Sequence, residues 1–130
     1  MPDESLPFHV EVRISRTRRR MLDEMRRCDG VDASIGPDTQ GLVRHWMSKI
    51  NGRFTVRPRG MVARMYLNVA DLRVRPSEIV SHECTHAGMA WARIRGANLK
   101  HMPGEEVLCY AVGAMVKQVN RACYAHGVWT

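Results

Sequence analysis

The chain predicts a small α+β domain, and three observations carry that expectation. Apolar and polar residues alternate with a period of two near residues 8–14 and 60–69. A 3.6-residue apolar repeat marks a helix before Gly30 and two long helices in the C-terminal part. The length of 130 residues suits one hydrophobic core, so residues 1–130 read as a single domain.

Taken in order, "FHVEVRI" sets Phe8, Val10, Val12 and Ile14 on one face and His9, Glu11 and Arg13 on the other, a half-buried strand. "RRRMLDEMRRCD" has Met21, Leu22, Met25 and Cys28 at helical spacing and is stopped by Gly30. "VDASIGPDTQG" is loop by composition. "LVRHWMSKI" places Leu42, Val43, Trp46, Met47 and Ile50 on one helical side, although a short strand also fits. "RFTV" and "GMVARMYLNVADL" read as two strands joined by the turn "RPRG"; in the second, Met61, Ala63, Met65, Leu67 and Val69 oppose Val62, Arg64, Tyr66 and Asn68. Pro76-Ser77-Glu78 opens a helix, with Pro suited to its first turn, Ser able to cap and Glu complementing the positive end. That helix should end near Arg95, before Gly96, and a last helix should run from about Glu105 to Tyr124. The expected sheet is mainly antiparallel, with helices packed against it.

Composition narrows the classes. A hydrophobic share of 45% with 25% charged residues belongs to a folded globular chain. No apolar run is long enough to span a bilayer, and the N-terminus lacks the pattern of a secretion signal, so a cytoplasmic location without membrane contact is the expectation. Cys28, Cys84, Cys109 and Cys123 form no C-x-x-C pair and read as reduced, buried small hydrophobes. The net charge of +7 rests on seventeen arginines against three lysines. The densest cluster is Arg13, Arg16, Arg18, Arg19, Arg20, Arg26 and Arg27. Its Arg16–Arg27 region could contact nucleic acid or an acidic protein, or simply be a solvated helix face.

The sharpest motif is His82-Glu83-Cys84-Thr85-His86. Residues four apart on a helix lie one turn above each other, so the two imidazoles project together and can bind one zinc ion. Glu83 is turned roughly 100° from His82; it is placed to take a proton from water at the metal rather than to ligate it. Val80, Cys84, Ala87, Trp91 and Ile94 give the same helix a core-facing stripe that leaves the histidines to one side. A catalytic zinc takes three protein ligands, and the next helix begins Gly104-Glu105-Glu106. Periodicity places Glu105 nearer that helix's apolar stripe, defined by Leu108, Val112, Met115, Val119 and Ala122.

Here the chain resembles the gluzincin group of zinc metallopeptidases, specifically the compact minigluzincins of bacteria and phages. The likeness rests on the His82–His86 helix and on Glu106 followed by Cys109 and by Gly113 at the seventh place, twenty residues after His86. The resemblance implies a zincin-like fold with an HExxH helix and a C-terminal Glu-bearing helix. It implies Zn2+ held by His82, His86 and Glu106, with Glu83 as general base and a peptide or protein as substrate. It also implies a sheet-edge strand, "MVARMYLNV", to pair with an extended peptide, and a host-cytoplasmic setting if the chain is phage-encoded. Tyr110 stands where the family often has Asp, so its hydroxyl would bond Glu106 or face substrate. With His101, Tyr124 and His126 it is a candidate to stabilise the oxyanion of the tetrahedral intermediate. Gly113, lacking a side chain, is expected to let the two helices approach.

Overall fold

The computed structural model describes residues 9–30, 39–45, 48–50, 53–55, 61–94, 96 and 98–129. Strand β1 (His9–Ser15) leads into helix α1 (Arg18–Asp29), followed by the short strands β2 (Leu42–His45), β3 (Ser48–Ile50) and β4 (Arg53–Thr55). Strand β5 (Met61–Asn68) then runs directly into helix α2 (Val69–Val74), and the long helices α3 (Pro76–Ile94) and α4 (Met102–Ala125) complete the chain.

Strand β5 is the centre of a three-stranded sheet of order β1-β5-β2, parallel to β1 and antiparallel to β2, while β3 and β4 pair separately. The sheet is therefore mixed, not mainly antiparallel. It is layered between helices. Ala63, Met65 and Leu67 on one face of β5 join Val10 of β1 in the core formed with α3 and α4. Tyr66 on the other face packs with Met21, Leu22 and Met25 of α1. The alternation foreseen in β1 and β5 holds, and its polar half is buried as well because α1 covers it: Tyr66 and Asn68 are both fully inaccessible.

Buried polar groups must be satisfied, and the α1 layer does this with charge. Arg13 donates to Glu24 at 2.7 Å, and Arg64 donates to Asp29 at 3.0 Å. The Tyr66 hydroxyl donates to Asp29. Arg18 grips Asp71 with two bonds of 2.8 Å. Asn68 ends the strand and begins α2, accepting from the Asp71 backbone N–H at 2.8 Å and donating to the Asp71 carboxylate. This N-cap halts the strand that sequence periodicity carried on to Leu72. Thr17 and Gly30 bound α1 as cap and stop, Gly30 at φ 81°.

Three further expectations are corrected. Residues 42–50 hold strands β2 and β3 rather than a helix, because Leu42–His45 pairs with β5 from Tyr66 to Ala63; Trp46 and Met47 lie outside the described residues, as does the "RPRG" turn. Ser77 is not the cap of α3, since Pro76 already occupies its first position. Cys109 is exposed, while Cys84 and Cys123 are buried, and all four thiols are free. Burial pushes the Cys84 thiol up to about 12 and that of Cys123 to about 11, which suits inert core residues. Among the described residues no helix is long and apolar enough to cross a membrane.

Candidate metal centre

Helix α3 holds its face by the stripe read from the sequence: Val80, Cys84, Ala87 and Trp91 are buried in the core, with Ile94 packed against it. With that side fixed, His82 and His86 emerge exposed on the other, their ring centroids 4.9 Å apart and edge to face. Glu83 sits between these faces and is only 4% exposed. One donor atom from each of His82, Glu83 and His86 lies within 4.8 Å of the others, a group that could hold a metal ion.

The Glu83 carboxyl is unusual for its surroundings. Its Oε1 is 3.7 Å from His82 Nε2, and its Oε2 is buried with no hydrogen-bond partner among the described residues. Desolvation pushes its pKa up to about 7, far above an ordinary glutamate. Gly41, just before β2, forms the roof. A β-carbon there would stand 3.2 Å from Glu83 Cγ and 3.4 Å from Oε2. Gln40, Gly41, Glu78, Ile79, His82 and Glu83 line a cleft of about 300 Å³. A shallower depression runs along the same helix between Glu78, Ser81, His82, Thr85 and His86.

The second helix does not complete the group. Residues Pro76–Ser81 at the start of α3 share a groove with Val116, Asn120, Tyr124 and Trp129 at the other chain end, so α3 and α4 run antiparallel. They pack closely at Gly88, where a β-carbon would come within 2.6 Å of Val112 Cγ2. Counting from that crossing, His86 lies level with residue 114. Glu106 is eight residues away, about 12 Å along the helix axis at 1.5 Å per residue. Glu105 and Glu106 are both exposed in the first turns of α4 and stand outside the group. The glycine that permits close approach is Gly88, not Gly113, around which nothing lies within 4 Å of an added β-carbon.

The helix face explains the difference. Helix α4 buries Gly104, Ala111, Met115, Val119 and Cys123, a stripe rotated from the one expected, and leaves Leu108 half-buried. Tyr110 is 54% exposed and lines neither cleft beside the histidines. His101 precedes α4 without a side-chain cap bond. His126 closes α4 with its ring nitrogen 2.9 Å from the Ala122 carbonyl, and Tyr124 belongs to the groove at the start of α3. None of these four lines either cleft beside the histidine pair.

Strand β5 is central, so it is not the edge expected to receive a peptide. Strand β2 pairs on one side only among the described residues, and the Gln40-Gly41 segment leading into it walls the cleft. Two contributors were missed in the sequence. Glu78 lies four residues before His82, a spacing that was legible; Gln40-Gly41 reaches α3 only through the tertiary fold. No family model matches the chain, and no curated protein or solved structure matches it.

Proposed function

We propose that the chain is a metal-dependent hydrolase of peptide bonds, with His82 and His86 holding a zinc ion and Glu83 acting as general base. The observation that carries this reading is the Glu83 carboxyl, buried, without a hydrogen-bond partner among the described residues, and within 4.8 Å of both imidazoles. An isolated buried carboxyl is costly, and its retention beside two exposed metal-type ligands is accounted for by a chemical task. The donor types fit zinc: two imidazoles one helical turn apart supply two of the three protein ligands that a catalytic site takes. A zinc ion held there would polarise a substrate carbonyl and acidify water.

The remaining work falls to the protein. With a pKa of about 7, Glu83 can accept a proton from water and return it to a departing amine near neutral pH. The Gly41 backbone lies close against that carboxyl, and the cleft of about 300 Å³ beside it has space for a reacting group. The side of β2 that pairs with no strand among the described residues offers backbone donors and acceptors to an extended polypeptide, which suits peptide better than a compact substrate.

The test is direct. Purified protein with one equivalent of zinc should generate new termini in an unfolded polypeptide, read by mass spectrometry. The activity should vanish with a chelator and return with added zinc. Cleavage indifferent to chelation, or none across a broad set of unfolded substrates, would contradict the proposal.

A further inference from the structure

The arginine cluster divides into two sets once its partners are known. Arg13 and Arg18 are turned inward and engaged, Arg13 with Glu24 and Glu11 and Arg18 with Asp71. Arg16, Arg19, Arg20, Arg26 and Arg27 are exposed. Arg26 lies 3.6 Å from Asp23, Arg27 acts on Glu24 only through its charge, and no hydrogen bond or ion pair engages the side chains of Arg16, Arg19 and Arg20 among the described residues. At 100° per residue Arg20 and Arg27 lie opposite Met21, Leu22 and Met25, which are buried against the sheet, Arg19 and Arg26 lie on the adjoining flank, and Arg16 stands just before the Thr17 cap. Asp23 is the one acidic group among them, so the exposed side of α1, together with Arg16 just before it, carries a local charge of about +4, its helical arginines spread over roughly 12 Å.

We infer that this outward face of α1 docks on the phosphodiester backbone of a nucleic-acid duplex. Guanidinium groups present planar paired donors that match phosphate oxygens. Arg19–Arg20 and Arg26–Arg27 stand seven residues apart, about 10 Å along α1, which spans about three phosphate steps of roughly 3.4 Å on one strand. The face has no aromatic side chain on which an unpaired base could stack, which disfavours a single strand. It has no apolar centre either, which a protein interface of useful affinity requires. It holds no Asn or Gln to read base edges, so the contact positions without choosing a sequence. Helix α1 covers the sheet face opposite α3, so a docked duplex leaves the His82–His86 side open.

Fluorescence anisotropy with a labelled 20-base-pair duplex tests this. Binding at 50 mM salt should weaken about 100-fold by 200 mM, the slope expected for three to four phosphate contacts. Substituting Arg19, Arg20 and Arg27 together by Gln should weaken binding at least 10-fold and flatten the salt slope by about 2–3. A charge-matched control that changes the exposed Arg93, Lys100 and Arg121 to Gln should leave both within twofold, as should His82→Ala. Far-ultraviolet circular dichroism confirms that each variant is folded. No binding at 50 mM salt overturns the assignment, and so does an equal loss in the control triple, which would reduce the effect to net charge. Tighter binding of single-stranded DNA or of polyglutamate overturns it in favour of those partners.

Discussion

Acidic groups meet opposite fates on the two faces of the sheet. On the α1 side, Glu24, Asp29 and Asp71 each face an arginine within 3.0 Å, and the Arg13 and Arg18 guanidinium groups hold the Glu24 and Asp71 carboxyls below the ordinary range. On the α3 side, Glu83 is more deeply buried and has no such partner among the described residues, and desolvation raises its pKa to about 7. Among the described residues no arginine is paired with Glu83. A paired carboxylate organises a fold, whereas a lone buried carboxyl is a strained group that proton chemistry can use.

Substitution of Glu83 should give the largest effect. Glu83→Gln keeps the shape and removes the base, so hydrolysis should fall about 10²–10⁴-fold with zinc affinity little changed. Steady-state kinetics beside a zinc titration would check it. The same carboxyl should set the sign of the pH response of the metal-free protein. Its folded pKa is raised, so its contribution to stability is intact below the ordinary glutamate range and lost as pH rises through about 7. The loss is on the order of 3 kcal/mol. Glu83→Gln should abolish that slope in urea denaturation series and be the more stable protein at pH 8.

The α1 side should respond in the opposite direction. The Asp71 pKa is lowered by its bonds to Arg18, so its stabilisation is present above the ordinary carboxylate range and fades as pH falls through the folded value. Asp71→Asn should cost about 1–3 kcal/mol at pH 7, with Arg18 partly exposed and the pair discounted for solvent. Equilibrium unfolding at pH 7 and pH 3 separates the two faces. The smallest effect belongs to Gly41→Ala, whose β-carbon would crowd the Glu83 carboxyl at 3.2–3.4 Å. Stability should change by about 1 kcal/mol or less while KM for a peptide rises.

Local periodicity revealed much of this molecule. Val10, Met65 and Met21 lie on the faces that alternation and helical spacing assigned them, and His82, Glu83 and His86 were legible because an amphipathic helix orients i and i+4 together. What escaped depends on partners distant in sequence. Leu42 and Val43 suit a helix by spacing, but pairing with Tyr66 and Met65 makes them a strand. Helix α4 carries apolar residues at 107, 108, 111, 112, 115, 116 and 119, enough for two stripes, and the notch at Gly88 selects the one that turns Glu106 to solvent. Asn68 ends β5 through a local cap with Asp71, three residues on, and through a bond to the Gln40 carbonyl that no window of neighbouring residues predicts.

Calorimetric titration of the metal-free protein with zinc tests the central claim most directly. One ion per chain should bind, His82→Ala and His86→Ala should each abolish or weaken it at least 100-fold, and Glu106→Gln should leave it unchanged. Absence of binding, or binding that survives loss of either histidine, would contradict the account.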